Sequence, residues 1–134
     1  MSEENVEMAR RAYEAFNRGD YEGSVASFAP DFEFISSGAI PGVEGVYRGP
    51  EEYRRQVVER FGDEFDDFGA DIHEFIEAGD QVLTSLTFHG RGKQSGVESS
   101  WDTWHVWTLR NGSIVHGQGF TSRADALRAA GLSG

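Results

Sequence analysis

Apolar residues near the start of the chain recur at intervals of three and four positions. They are Val6, Ala9, Tyr13 and Phe16. This spacing puts them on one face of a helix and predicts a helix over residues 3–18, which Gly19 would end. A second, short helix is predicted over 21–29, where Pro30 would end it.

Alternation of apolar and polar residues replaces the helical pattern in the next stretch. In DFEFIS, residues 31–36, Phe32 and Phe34 face one side while Glu33 faces the other. A period of two residues is typical of a strand. The glycine-rich stretch 38–49 then predicts a loop.

A third helix, four consecutive strands and a last helix complete the prediction. Pro50 suits the first turn of a helix over 51–61, which an acidic connection over 62–67 follows. Strands are predicted over 68–78, 81–92, 99–110 and 113–121. Ser122 and Asp125 have the spacing of a capping box, so a short helix is predicted after them.

The predicted order of elements is α-α-β-α-β-β-β-β-α, with most helices at the front. This order predicts an α+β fold, in which the N-terminal helices pack on the concave face of a curved, mostly antiparallel sheet. Such a cone-shaped sheet can hold an apolar ligand. The 134 residues suffice for a hydrophobic core, and we expect a single domain over 1–134.

Composition and charge narrow the class of partner. The chain has 23 Asp and Glu against 12 Lys and Arg, a net charge of -11, so neither nucleic acid nor an anionic membrane is expected as a partner. The N-terminus is acidic and no apolar run reaches membrane-spanning length, so we expect a cytoplasmic protein. The absence of cysteine excludes disulfides and thiolate chemistry.

One predicted hairpin concentrates aromatic side chains. The stretch SSWDTWHVWTLRNGSIVHGQGF, residues 99–120, contains all three tryptophans and two of the four histidines. A two-residue turn would set His105 opposite Gln118. A three-residue turn, with Gly112 in a left-handed bulge, would set it opposite Gly117.

Several segments together resemble one known superfamily. They are RRAYEAFNRGDYEGSVASFAPDFEF, GVYRGPEEY, EAGDQVLTSLTFHGRGKQSG, HVWTLRNGSIV and ALRAAGL. In order and spacing they resemble the nuclear transport factor two-like superfamily, within it the polyketide cyclase-like (SnoaL-like) and steroid delta-isomerase-like branch. The resemblance implies the same cone-shaped fold, which hosts isomerases, cyclases, epoxide hydrolases, dehydratases and non-catalytic binders.

Of the catalytic positions that the resemblance assigns, one holds a titratable residue in this sequence. Steroid isomerases of this fold use a tyrosine, an aspartate base and a protonated aspartate, and the matching positions hold Ala12, Ser36 and His105. Tyr13 is one residue away from the tyrosine position and is expected to point elsewhere. Gly119 takes the place of the aspartate that cyclases and epoxide hydrolases use. The Arg and Asp of the epoxide hydrolases correspond to Leu86 and Phe88.

The geometry of the superfamily favours the three-residue turn, which assigns a face to each residue of the hairpin. The concave face would carry Trp101, Thr103, His105, Trp107, Leu109, Val115, Gly117, Gly119 and Thr121. Gly117 and Gly119 would then leave room opposite His105 and Thr103. The convex face would carry Trp104, Val106, His116, Gln118 and Phe120, and a second copy of the chain is expected to cover it.

The expected site is an apolar pocket in which His105 is the titratable group. Burial would keep the imidazole neutral, able to donate to a carbonyl or to accept from a hydroxyl. The alternative is a hydrogen-bonded core histidine. The ligand-binding residues predicted are Phe16, Phe34, Ser36, Phe61, Leu86, Phe88, Trp101, Thr103, His105, Trp107, Gly119 and Thr121. No metal or cofactor is expected, since no histidine pair has the i, i+4 spacing of a helical zinc motif.

The leading hypothesis is a homodimer that binds a small apolar molecule, polycyclic or of terpenoid size. The dimer contacts would be Trp104, Val106 and Phe120. As an enzyme, the protein would act as an isomerase or cyclase by proton transfer beside a carbonyl, with His105 as the catalytic acid–base group and Ser36 as a polar helper.

Two alternatives remain open. The first is a non-catalytic dimeric interaction module, in which Trp101, Trp107 and Phe88 pack across the cone. The second is a dehydratase or epoxide hydrolase, which would need a carboxylate in the cavity. Glu33 and Asp102 are the nearest candidates, and the alternation points both away from it.

Overall fold

A computed structural model describes residues 2–37 and 44–132. The helices are α1 (Ser2–Asn17), α2 (Tyr21–Ser24), α3 (Pro50–Tyr53), a π-helical segment (Arg54–Val58), α4 (Glu59–Glu64) and α5 (Arg123–Ala129). The strands are β1 (Phe28–Ser37), β2 (Glu44–Arg48), β3 (Phe65–Ala78), β4 (Gln81–Gly92), β5 (Glu98–Arg110) and β6 (Ser113–Phe120). No described helix is long and apolar enough to cross a membrane.

The described strands form one six-stranded sheet in the order β2-β1-β6-β5-β4-β3. The pairing of β1 with β6 is parallel, and the other neighbours are antiparallel. The predicted α+β fold, with a curved and mostly antiparallel sheet, is confirmed. The last strand in the sequence lies inside the sheet, between the first strand and β5.

Two hydrophobic clusters lie on opposite faces of the sheet. The larger one packs α1 and the helical stretch 50–64 against one face, with Phe32 and Phe34 almost completely buried in it. The smaller one packs Ala126 and Ala130, from α5 and its end, against Leu83 and Val106. The front helices therefore cover the face on which the candidate site is expected.

The second helix is shorter than predicted, because the chain enters β1 before Pro30. The side chain of Asp20 accepts a hydrogen bond from the backbone N–H of Gly23 and caps only one turn. The pairing of β1 with β6 is irregular between Phe28 and Glu33. Proline has no N–H to contribute to a ladder, so it fits this irregular stretch.

The loop predicted over 38–49 is wrong at its second half, which forms the edge strand β2. Phe34 pairs with Tyr47 there. Its first part, 38–43, lies outside the described residues. The acidic connection predicted over 62–67 is also wrong, because α4 continues to Glu64 and β3 begins at Phe65.

The turn between β5 and β6 has two residues rather than three. Asn111 and Gly112 both have positive φ, 52° and 77°, as a type I′ hairpin turn requires. His105 pairs with Gly119 and Trp107 with Gly117, so the predicted placement of His105 opposite Gly117 is wrong.

A bulge restores the faces that the shorter turn would otherwise exchange. The pairing shifts between Thr108 and Leu109, which leaves Val115 as an extra residue in β6. Ile114, rather than Val115, therefore joins the core beside Leu109. Beyond the bulge, the odd-numbered residues of both strands face the helices, as predicted.

Candidate functional site

Three buried polar side chains meet between α1 and β5. Alternation along β5 puts His105 and Trp107 on the same face of the sheet. The apolar stripe of α1 brings Tyr13 over them. The hydroxyl of Tyr13 lies 2.7 Å from Nδ1 of His105, and Nε1 of Trp107 donates a hydrogen bond of 2.7 Å to the same oxygen.

Burial keeps this group uncharged. It lowers the pKa of His105 from 6.5 to about 3, so the imidazole is neutral at pH 7. Burial also raises the pKa of Tyr13 above its usual value, and it outweighs the nearby Thr84 hydroxyl and the Trp107 N–H, which lower it. The site is thus neutral and weakly polar inside an apolar shell.

A cavity lies beside this group, between the helices and the sheet. It measures about 50 Å³, counted as the space that the centre of a water molecule can occupy. Its described lining contains aliphatic and aromatic side chains, one serine and His105, and no carboxylate. The lining residues are Ala9, Ala12, Tyr13, Phe16, Ser24, Phe28, Phe34, Tyr53, Val57, Val58, Phe61, Phe88, His105, Trp107 and Ile114.

The size of the cavity limits what it can hold without rearrangement. One water needs roughly 10–15 Å³ on the same measure, so about four waters fit. A cavity of about 150 Å³ is known to hold benzene, and pockets for drug-sized ligands span about 300–1,000 Å³. A ring-sized ligand would therefore have to displace side chains.

Aromatic side chains fill most of the cone. The rings of Phe61 and Phe88 lie 4.9 Å apart, and the ring of Trp101 stacks on Phe61 at 6.2 Å. The indole of Trp107 occupies the space beside Gly117, where an added Cβ would clash with it. The room that we expected Gly117 to leave is thus taken by Trp107.

Six of the predicted ligand-binding residues line the cavity. They are Phe16, Phe34, Phe61, Phe88, His105 and Trp107. Three others are buried nearby without lining it, namely Leu86, Thr103 and, opposite His105, Gly119. Trp101 is half-buried, Ser36 is half-buried where β1 pairs with β2, and Thr121 is exposed beyond the end of β6.

Tyr13 is the most important residue that sequence reasoning misplaced. The prediction that it points elsewhere is wrong, since its hydroxyl contacts both His105 and Trp107. Its membership of the α1 stripe with Ala9 was the available signal. That stripe packs on the concave face, so a tyrosine within it faces the sheet.

The helical stretch 50–64 covers the cavity through an unusual turn. Its central segment, Arg54–Val58, is π-helical, and both Val57 and Val58 are buried and line the cavity. On the outer side, Arg54 bridges Glu51 and Glu59 at 2.5 Å each. Apolar spacing alone does not reveal such a turn.

The opposite face of the sheet is partly covered by this chain itself. Val106, predicted as a dimer contact, is buried in the cluster that α5 covers, while Trp104 and Phe120 are half-buried. Thr87 donates a hydrogen bond to Asp102 and lies 2.7 Å from Nε2 of His73 on this face. No group of three or more metal-ligating side chains lies together within 2–37 and 44–132.

Comparison with known families agrees with this geometry. The SnoaL-like domain matches residues 9–117, which is most of the chain. The chain belongs to the SnoaL-like domain family. Among curated proteins, none matches this SnoaL-like chain.

Solved structures support the same fold. An NTF2-like protein from Burkholderia thailandensis is 28% identical over 95% of each chain, with a TM-score of 0.79. TerC, co-crystallised with polyporic acid, is 22% identical over 96% of this SnoaL-like chain and 98% of its own, with a TM-score of 0.77. A hypothetical protein with a ketosteroid isomerase-like fold from Catenulispora acidiphila, in complex with trimethylamine, is 19% identical over 94% and 93%, with a TM-score of 0.76.

Proposed function

We propose that this SnoaL-like protein binds a small, neutral, mostly apolar molecule in the cavity beside His105. One observation carries the proposal. Nδ1 of His105 is hydrogen-bonded to the hydroxyl of Tyr13, whereas Nε2 has no hydrogen-bond partner within the described residues. The ring of His105 also lines an apolar cavity. The polar groups of buried side chains are normally paired, and His105 is only 4% exposed, so this nitrogen favours a ligand atom or a water as its partner.

The charge of the ligand follows from the surroundings of His105. Its pKa of about 3 reflects a site that disfavours charge, and the described lining holds no ionised side chain. An ion entering the cavity would lose its hydration without gaining a counter-charge. A neutral ligand with one polar atom meets both conditions.

Binding is better supported than acid–base catalysis by His105. A catalytic base works best when its pKa lies near the working pH, and burial holds His105 far below neutrality. Isomerase or cyclase chemistry would also draw on Ser36, which lies outside the cavity lining. The complexes of TerC with polyporic acid and of the Catenulispora protein with trimethylamine support small-molecule binding as a use of this fold.

Methyl NMR tests the proposal directly. Ala9, Ala12, Val57, Val58 and Ile114 line the cavity and each carries a methyl group. Cyclohexanone, 1-tetralone and anthrone form a series of one, two and three rings. We expect saturable shifts of these methyl signals with at least the smallest probe, and the largest probe that binds measures how far the cavity opens.

A variant in which a larger side chain fills the cavity is the control. Ala12→Leu places a larger side chain at the lining and should abolish the shifts, while Ala124→Leu on the exposed face of α5 should preserve them. Shifts confined to other methyl groups, or equal in both variants, would show that the probes bind elsewhere. No saturable shift with any probe would contradict the proposal.

The small cavity favours a second candidate, a non-catalytic interaction module with a self-filled cone. In that case Trp101, Phe61 and Phe88 serve as core, and the half-buried Trp104 and Phe120 on the opposite face contact a second copy of the chain. Sedimentation equilibrium of the wild type and Trp104→Ser tests it. A dimer that the substitution dissociates supports this candidate, and a monomer at all concentrations contradicts it.

A further inference from the structure

We infer that Trp107 sets the hydrogen-bonding polarity of the cavity: through Tyr13 it holds the proton of His105 on Nε2. The nitrogen that Tyr13 leaves available to a ligand is then a donor. The cavity therefore selects ligands whose polar atom accepts but does not donate, such as a carbonyl, an ether or a pyridine-type nitrogen. The ligand class rests on the proposed function, whereas the position of the proton does not.

Trp107 begins the chain of hydrogen bonds because an indole can only donate. Its Nε1–H points at the hydroxyl oxygen of Tyr13 at 2.7 Å, and its ring is held beside Gly117. Trp107 is 5% exposed and Tyr13 7%, so the bond is shielded from bulk solvent. One acceptor position of the Tyr13 oxygen is therefore always taken.

The hydroxyl of Tyr13 links this hydrogen bond to His105. Its hydroxyl has one proton, and within the described residues its hydrogen-bond partners are Trp107 and His105. Because Trp107 occupies an acceptor position of the oxygen and cannot itself accept, donation to Nδ1 of His105 is the arrangement that pairs the hydroxyl proton with one of these two partners. The Thr84 hydroxyl lies near enough to lower the pKa of Tyr13, but no hydrogen bond joins the two groups by distance and angle.

His105 completes the chain. A neutral imidazole carries one proton, so an Nδ1 that accepts from Tyr13 leaves that proton on Nε2. Among residues 2–37 and 44–132, nothing accepts it. A ligand acceptor would pair with this N–H, whereas a ligand donor would meet it proton to proton.

The tautomer can be measured without a ligand. Long-range proton–nitrogen correlation NMR distinguishes the protonated from the bare ring nitrogen, and His105→Gln identifies the signals. We expect the proton on Nε2 in the wild type. Trp107→Phe frees the Tyr13 oxygen to accept from Nδ1–H, so a measurable share of the other tautomer should appear.

Trp101→Phe is the matched control. It removes the same indole from the same strand, yet its Nε1 has no hydrogen-bond partner within the described residues. We expect His105 in this variant to have the same tautomer as in the wild type. Thr84→Val should also leave the tautomer unchanged, because Tyr13 does not donate to that hydroxyl.

Binding of three small rings tests the selectivity. Pyridine only accepts, pyrrole only donates and benzene does neither. At pH 8 we expect the wild type to bind pyridine about 3- to 10-fold more tightly than benzene, the range that one neutral hydrogen bond supplies, and pyrrole most weakly. Trp107→Phe should reduce the preference for pyridine over pyrrole, and Trp101→Phe should keep it.

Each outcome decides one claim. A wild-type proton on Nδ1, an unchanged tautomer in Trp107→Phe or an equal shift in Trp101→Phe would overturn the inference. So would tighter binding of pyrrole than of pyridine. If the tautomers behave as expected but none of the rings, nor any probe of the cyclohexanone series, binds in the cavity, the proposed function fails while the role of Trp107 stands.

Discussion

The hydroxyl of Tyr13 lies 2.7 Å from Nδ1 of His105, across 92 positions of the sequence. This contact joins the first helix to β5, and Trp107 adds a second hydrogen bond to the same oxygen. All three groups are buried, so removing one leaves a polar atom of its neighbour buried without a partner. The same atoms form the polar wall of the cavity, which couples its chemistry to the stability of the protein.

Tyr13→Phe is expected to destabilise the protein by about 1–3 kcal/mol. The substitution leaves the N–H of Trp107 and one nitrogen of His105 buried without a partner. Urea unfolding measures the change. Tyr47→Phe is the matched control, since Tyr47 is half-buried and its hydroxyl has no hydrogen-bond partner in the described part of the chain. Equal losses in both variants would contradict this role of Tyr13.

Acidification should destabilise the wild type partly through His105. Its folded pKa of about 3 lies below the unfolded value of 6.5, so the unfolded state binds more protons between these values. The contribution to stability is complete above pH 6.5 and is lost as the pH falls. We expect about 1 kcal/mol less stability at pH 5 than at pH 6 from this group.

His105→Gln isolates that effect, because the carboxylates titrate in both proteins. The difference in unfolding free energy between wild type and variant should shrink from pH 6 to pH 5. A wild-type curve parallel to that of His105→Gln would refute the depressed pKa.

Gly117→Ala should destabilise the protein by about 1–3 kcal/mol through overpacking. The added Cβ would clash with the ring of Trp107 and lie 3.0 Å from Phe34. Thermal unfolding and tryptophan fluorescence report stability and the position of the ring. At Gly92 the close contact of an added Cβ is with the hydroxyl of Ser95, an exposed side chain that can shift, so Gly92→Ala should destabilise the protein less than Gly117→Ala. A neutral Gly117→Ala would mean that Trp107 moves freely.

Asn17→Ala should lower the free energy of unfolding by about 1–3 kcal/mol. The reason is that the Asn17 side chain joins the end of α1 to the edge strand β3 by hydrogen bonds. Its side chain donates to the carbonyl of Ala70 at 3.0 Å and accepts from the N–H of Ala70 at 2.8 Å. Both backbone groups would lose their partner. Urea unfolding of Glu14→Ala, an exposed position of the same helix, provides the baseline. A loss no greater than that baseline would show that water replaces the amide.

Elements with their own periodic signal were predictable from the sequence. The three- and four-residue spacing around Tyr13 gave α1, and the alternation around His105 gave β5. In both elements the apolar positions of the pattern are the buried ones, because only the face that packs against the rest of the protein is shielded from water. The class of the fold followed from these local signals, whereas the face of β5 that carries His105 was taken from the resemblance to the superfamily.

Features that depend on distant partners were not predictable. The strand β2 forms because β1 offers it an edge, and nothing local in a glycine-rich stretch shows this. The bulge at Val115 is decided by how β6 fits between two neighbours. Both Val57 and Val58 reach the cavity only because the helix loosens there into a π turn.

The size of the cavity was equally hidden. The sequence places glycines at 117 and 119 on the concave face, which suggested open space. Whether space stays open depends on the rotamers of large neighbours, and the ring of Trp107 turns into the gap beside Gly117. A count of small residues therefore shows where a pocket is possible, not where it is empty.

The central place of β6 bears on how the chain folds during synthesis. Five strands precede β6 in the sequence, and they form two separate groups: β1 paired with β2, and β3, β4 and β5 paired in succession. β6 joins the two groups, because it pairs with β1 on one side and with β5 on the other. The two parts of the sheet cannot join until residues 113–120 have left the ribosome. Until then both expose unpaired strand edges, the state in which β proteins are most prone to aggregate.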